Sequence, residues 1–179
     1  MEQMKNVETV DKEHDFKVWS REAWLIIAGR QQGLHFTAES LALARDAYWQ
    51  AISRSLVIYS DAKEFTSALF SQNIPLILMT GSDSILSLQE STGKLVYDPA
   101  FSESYKRQRF LRLSVKHTAL VIGDPIDKPH PEFFDKLENE LVKLDLNTQN
   151  AIFIGDSPRN DLAIPLGKGY KAYYINRKK

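Results

Sequence analysis

The sequence predicts an α/β protein, a parallel sheet with helices on both faces preceded by a helical hairpin, and three observations lead there. Short apolar runs of strand length recur from residue 61 onward: IPLILM (74–79), TALVI (118–122), AIFI (151–154) and KAYYI (171–175). Amphipathic stretches of helix length separate them, and strands that alternate with helices in this way line up in parallel under crossover connections. Residues 20–53 instead carry two successive helical patterns, enough for a hairpin with one apolar side to bury. At 179 residues and 43% hydrophobic content, the chain is long enough for one substantial core, either as a single domain or as a domain with a small appendage.

Each element has a local reason. SREAWLIIAGRQQG (20–33) reads as a helix closed by Gly33, the residue type that ends helices in a left-handed conformation. TAESLALARDAYWQAI (37–52) follows with Thr37 as its N-cap. Its apolar face is Leu41, Ala44, Tyr48 and Ala51, widened by Leu43, Ala47 and Ile52. AKEFTSALFSQN (62–73) is a helix and IPLILM a buried strand; SDSILSLQES (82–91) reads as a helix and TALVI as a strand. PEFFDKLENELVKL (131–144) places Phe134, Leu137, Leu141 and Leu144 on one helical face, and AIFI and KAYYI are the last two strands. SYKRQRFLRLSVKH (104–117) is locally basic with Phe110, Leu111 and Leu113 interleaved; it reads as a solvated helix face, with contact to an anionic partner as the alternative. His14, His35, His117 and His130 have no metal-ligand spacing and read as surface or capping residues, and residues 1–15 are the expected flexible stretch.

Composition excludes several classes of function. Lys plus Arg and Asp plus Glu both number 23, so no charge surplus points to a nucleic acid or a membrane surface. No cysteine is present, which removes disulfides and thiolate chemistry and fits a reducing compartment. The charged opening MEQMKNVETVDKEHDFK has no signal-peptide core, and no apolar run is long enough to span a bilayer. The expected location is the cytoplasm.

In an open parallel sheet, ligands bind beyond the carboxyl ends of the strands. After IPLILM come Thr80, Gly81 and Ser82, a hydroxyl and a glycine that lets backbone N–H groups approach an anion. After TALVI comes GDPIDKPHPEFF, with Lys128 just before Pro129 and a helix opening at Pro131. After AIFI comes GDSPRND, with Asp156, Asn160 and Asp161. Three strand ends therefore offer donors for a phosphate-sized anion, one cation and a pair of carboxylates. Taken singly, each has a plainer role: Thr80 as a helix cap, Lys128 as a solvated side chain, Asp156 and Asp161 as caps of the short helix that follows.

A strand ending in Thr, then Lys-Pro-x-Pro before a helix, then an apolar strand running into GDSPRND, resembles motifs II, III and IV of the haloacid dehalogenase-like (HAD) superfamily. The resemblance covers roughly Asp61 to Arg177, and YSDAKEFTSALFSQNIPLILMTGSDS (59–84) resembles the family's approach to motif II. It implies a Rossmann-like HAD core over 58–179 and a helical, cap-like region over 1–57. By the same resemblance Thr80 would hydrogen-bond a transferring phosphoryl group, with Gly81 beside it, and Lys128 would neutralise its charge. Asp156 and Asp161 would hold Mg2+, with Asn160 orienting the carboxylates or their loop.

Four departures accompany the resemblance. His130 stands between the prolines of motif III where Asp or Ser is usual, and Gly81 stands where Asn is common. Pro165 falls in the helix expected after motif IV, where a proline costs about 3 kcal/mol unless the helix is short or irregular. The largest departure is the absence from this sequence of the DxDx(T/V) segment, motif I, whose first Asp is the family's nucleophile and whose second is its acid-base. Asp11 and Asp15 lie in a charged segment without a buried strand before them, Asp61 sits in the approach to motif II, and WLIIAGR (24–30) carries Ala28, Gly29 and Arg30 where carboxylates would be needed.

In the family's strand order the motif I strand lies between those of motifs II and IV, so its loss leaves a slot with unpaired backbone on both sides. The candidates to fill it are DFKVW (15–19), a strand from another chain, or a sheet whose neighbours close up. Two functions fit. One is a Mg2+-dependent phosphatase acting on a small phosphorylated molecule, weak or inactive alone because its nucleophile is not found. The other is a catalytically silent HAD-like module that binds a partner or a phosphorylated ligand.

Overall fold

The computed structural model describes residues 20–81 and 83–177. DFKVW, Asp11, Asp15, Ser82 and the flexible stretch expected over 1–15 lie outside them. The chain divides into two compact units: Met1–Leu76 with Ser82–His117, and Ile77–Gly81 with Thr118–Lys179. The division expected near residue 57 falls in the loop between the second and third helices, inside the first unit.

The first unit opens with the expected hairpin, α1 (Arg21–Gln31) and α2 (Ala38–Ser55). Ser20 caps α1 through the Ala23 N–H and donates to the buried Glu22 carboxylate at 2.6 Å. Gly33, at φ +72°, closes the helix as expected, with its N–H donating to the Arg30 carbonyl at 3.1 Å. Thr37 caps α2 in a reciprocal box with Ser40.

The buried stripe of α2 differs from the predicted face. It consists of Leu41, Arg45 and Trp49, whereas Leu43, Ala47 and Ala51 face solvent. Arg45 turns inward because the Glu22 and Asp46 carboxylates lie 3.7 and 2.9 Å from its Nε and the Phe101 and Tyr105 rings flank its guanidinium.

Helix α3 (Ser60–Ser71) follows. The segment expected to be helical at SDSILSLQES is instead strand β2 (Leu86–Gln89), paired antiparallel with β3 (Lys94–Tyr97). The turn residues decide the matter: Gly93 takes φ +65°, and the two strands place Leu88 directly opposite Leu95. Helix α4 (Pro99–Leu111) begins at Asp98, whose carboxylate accepts the Phe101 N–H at 3.1 Å. Its basic stretch is solvated in part, with Gln108 and Arg112 exposed, but Lys106 is fully buried, as is Ser102 just before the stretch, which accepts the Ile85 N–H at 2.8 Å.

The second unit is the α/β part. β1 (Ile77–Gly81) begins just beyond Pro75, which has no N–H to donate to a ladder, and pairs in parallel with β4 (Ala119–Gly123). β5 (Ile152–Gly155) pairs in parallel with β6 (Lys171–Tyr174). Between β4 and β5 runs α5 (Pro131–Lys143), which buries Phe133, Phe134, Leu137 and Leu141 against Val121, Phe153 and Leu162. Three of the four face residues read from the sequence are in this core; the fourth, Leu144, is half-buried at the helix end. His130 caps α5, its ring nitrogen accepting the Glu132 N–H at 3.3 Å. Beyond β5, Pro158–Leu162 form a π-turn and α6 (Ala163–Gly167) has five residues, a short and irregular helix that accommodates Pro165.

The two ladders are separate two-stranded sheets, and β1 does not pair with β5 among the described residues. No described helix is long and apolar enough to cross a membrane.

Candidate functional site

The end of β1 and the loops that leave β4 and β5 meet in the second unit around a cleft of about 260 Å3, lined by Gly81, Asp127, Lys128, Asp156, Asn160 and Asp161, with Ser157. The strand ends are brought together by register. Gly81 lies opposite Gly123 across the β1–β4 ladder, and the parallel direction puts both exits on one edge.

Lys128 and Asp161, 33 residues apart, form the pair at the centre: Nζ lies 2.7 Å from Oδ1, and both side chains are largely shielded. The second oxygen of Asp161 accepts the Ser157 N–H at 2.9 Å. Burial would raise the Asp161 carboxyl, but the hydrogen bond and charge of Lys128, together with the Ser157 and Asp156 backbone donors, outweigh it and hold the group below the ordinary aspartate range. Gly155 is required here, since a Cβ at that position would collide with the Asp161 side chain. Asn160 is fixed through its backbone, whose N–H donates to the Ser157 hydroxyl at 3.2 Å. Asp156 is exposed at the cleft, and its carboxylate forms no ion pair among the described residues.

Thr80 is the penultimate residue of β1. Its hydroxyl donates to the Gly81 carbonyl at 3.3 Å, and the cleft lining begins one residue later, at Gly81. Asp61 lies in the other unit, in the first turn of α3, where its Oδ1 accepts the Ala62 N–H at 2.9 Å.

Sequence reasoning missed Asp127. Its carboxylate accepts the Lys128 N–H at 2.6 Å and rests in a niche over the two opposed glycines. A Cβ at Gly81 would strike that carboxylate, and one at Gly123 would come within 2.6 Å of it. The signal was present as a glycine at the end of each strand, but only the register shows that the two face one another.

The donors at the cleft are hard oxygens, from carboxylates, a hydroxyl and an amide, beside a single ammonium. Mg2+ is commonly held by one or two carboxylates, with water and phosphate oxygens completing the shell, so the donor chemistry fits that ion. Among the described residues no three His, Asp or Glu side chains gather closely enough to hold a metal by themselves.

A search of curated proteins finds no match to the chain. The family model described as a hydrolase, haloacid dehalogenase-like hydrolase, matches residues 9–164, most of the sequence and every loop of the cleft. The chain therefore belongs to the haloacid dehalogenase-like hydrolase family.

Proposed function

We propose that this protein retains the phosphate- and Mg2+-binding part of a HAD phosphatase site, receives a small phosphorylated molecule there, and turns over phosphate esters weakly or not at all when alone. The observation that carries this reading is the Lys128–Asp161 pair at 2.7 Å beside Asp156, a cation and two carboxylates converging from separate strand ends. Members of the family generally use Mg2+. Asp156 and Asp161 would hold it, and the ion would supply charge compensation for phosphoryl oxygens. Lys128 would add its own charge, Thr80 and Gly81 would hydrogen-bond the phosphoryl group, and Asn160 would keep the carboxylate loop in place. The cysteine-free composition fits action in the cytoplasm.

Turnover is the step that this reading makes slow. The sequence has no DxDx(T/V) segment, and without a positioned nucleophile water must attack phosphorus directly. Removing a nucleophile from a concerted set costs a factor of about a million in rate, leaving the acceleration that electrostatics and binding provide. A screen of generic and metabolite phosphates with Mg2+ should read near background, and Asp156→Asn should change little. Robust turnover abolished by that substitution would overturn the reading and make Asp61, then Asp15, the first residues to mutate as the nucleophile.

The second reading, a catalytically silent module, is favoured by a different observation. Both oxygens of Asp161 are already engaged, by Lys128 and Ser157, and β1 and β5 each keep an edge that no described strand pairs. In this reading a strand from a protein partner, or from a second copy, completes the sheet between them. Calorimetric titration separates the two: millimolar binding of Mg2+, or of phosphate in a form that Lys128→Gln removes, supports the phosphatase-derived site, and neither leaves the carboxylates as caps of the turn that follows.

A further inference from the structure

The first unit holds a second cleft, of about 230 Å3, between α2 and α4, lined among others by Asp46, Trp49, Ser53, Tyr105, Arg109 and Arg112. Its chemistry is unlike that of the first: among the described residues its lining carries two arginines, Arg109 and Arg112, and one carboxylate, Asp46, which Arg45 already pairs. Asp46 is satisfied from two sides, by the Arg45 Nε at 2.9 Å and the Tyr105 hydroxyl at 2.8 Å. Asp83 lies 2.6 Å from the Arg21 Nε in a close but poorly directed pair, so its charge is already claimed by Arg21 before Arg109 feels it. Arg112, exposed at the end of α4, has no ion pair among the described residues.

Arg109 is the centre of the imbalance. Its guanidinium carbon sits over Trp49, 3.4 Å from the ring centroid, which compensates part of the cost of burial. Two of its nitrogens, Nε and Nη1, are nevertheless shut off from solvent without an acceptor among the described residues. The Trp49 indole N–H is buried in the same way. Buried donors in folded proteins are nearly always satisfied, and an orphaned donor on a cation costs more than a neutral one. Three orphaned donors on one pair of side chains in contact, with a further free arginine on the same cleft, call for an acceptor that also carries negative charge.

We infer that the cleft between α2 and α4 is a binding site for an oxyanion, the phosphate or carboxylate group of a small molecule, held by Arg109 and Arg112 with the Trp49 indole at its wall. The volume supports a single group of this size, since clefts for whole drug-sized ligands run from about 300 to 1,000 Å3. Arginine suits the task because its planar fork matches two oxygens at once, and contact with the Trp49 ring holds it in position in advance. Water could fill the space and accept hydrogen bonds, but it would leave the charge surplus in place.

The test is titration of the full chain with inorganic phosphate, and separately with acetate, at constant ionic strength, read by tryptophan fluorescence. A saturable change in the millimolar range is expected, about tenfold weaker in Arg112→Gln and in Arg109→Gln and unaltered in Lys128→Gln. The anion that saturates at the lower concentration identifies the phosphate or the carboxylate as the natural group. Arg112 is exposed, so its variant reports on binding even if Arg109→Gln folds poorly. The inference is overturned if neither anion gives a saturable response beyond chloride, if the response survives in Arg112→Gln at full affinity, or if Lys128→Gln abolishes it and so assigns it to the other cleft.

Discussion

At the scale of single residues the site is governed by the Lys128–Asp161 pair. Because the Asp161 carboxyl is held below its ordinary value, its stabilising contribution is complete above the normal aspartate range and disappears as pH falls through the lowered value. Lys128→Gln should therefore destabilise the protein by about 1 kcal/mol at neutral pH, a figure kept small by screening in an open cleft. The difference from wild type should vanish in strong acid, and urea unfolding at several pH values measures it. Gly155→Ala acts on the same pair from below. Its Cβ would occupy the space of the Asp161 side chain, so the loop must move, with an expected loss of about 1–3 kcal/mol and weaker phosphate binding by calorimetry. The identities of Lys128, Asp156 and Asp161 were legible from their motifs. Asp127 was not, because its place depends on two glycines that meet only across a ladder.

The elements differ in how far local pattern decides them. Helix α5 is the clearest: its repeat of Phe134, Leu137 and Leu141 is the buried face, and Phe134 stacks edge-on to Phe133 with ring centroids 5.5 Å apart. Phe134→Ala should cost about 3–5 kcal/mol and appear as a large fall in thermal midpoint. Thr37→Ala should cost about 1 kcal/mol by removing the box that starts α2, a loss that circular dichroism during denaturation detects. SDSILSLQES went the other way. Its apolar residues are compatible with either period, and what selects a strand is the turn at Gly93 and the partner strand beyond it. Charge misled the reading of α2 and α4 for a related reason. Lys106, within a stretch that reads as solvated, is fully buried, and Arg45, outside the expected apolar face of α2, is satisfied by carboxylates from α1 and its own helix.

For the whole molecule, the unusual feature is a parallel α/β unit made of two separate ladders. On β5 and β6, Ile152, Ile154 and Tyr173 lie on one face and remain about half exposed. Strand edges beside apolar residues are templates for further pairing. The expected outcome is association that grows with protein concentration in sedimentation velocity, reduced by Ile154→Lys. A single monomeric species at every concentration would count against strand capture at this sheet.

The helical hairpin, four strand segments, the inward face of α5 and the three motifs with their order are all legible in the chain's local pattern, since each is written in the spacing of near neighbours. The tertiary structure decided what depends on distant partners: that SDSILSLQES pairs as a strand, that Lys106 and Arg45 are buried, that Asp127 rests on opposed glycines, and that Lys128 reaches Asp161. The physical reason is shared by all four. Hydrophobic period is a property of consecutive residues, whereas the balance between desolvating a charge and satisfying it is set only once the chain has brought its partners together.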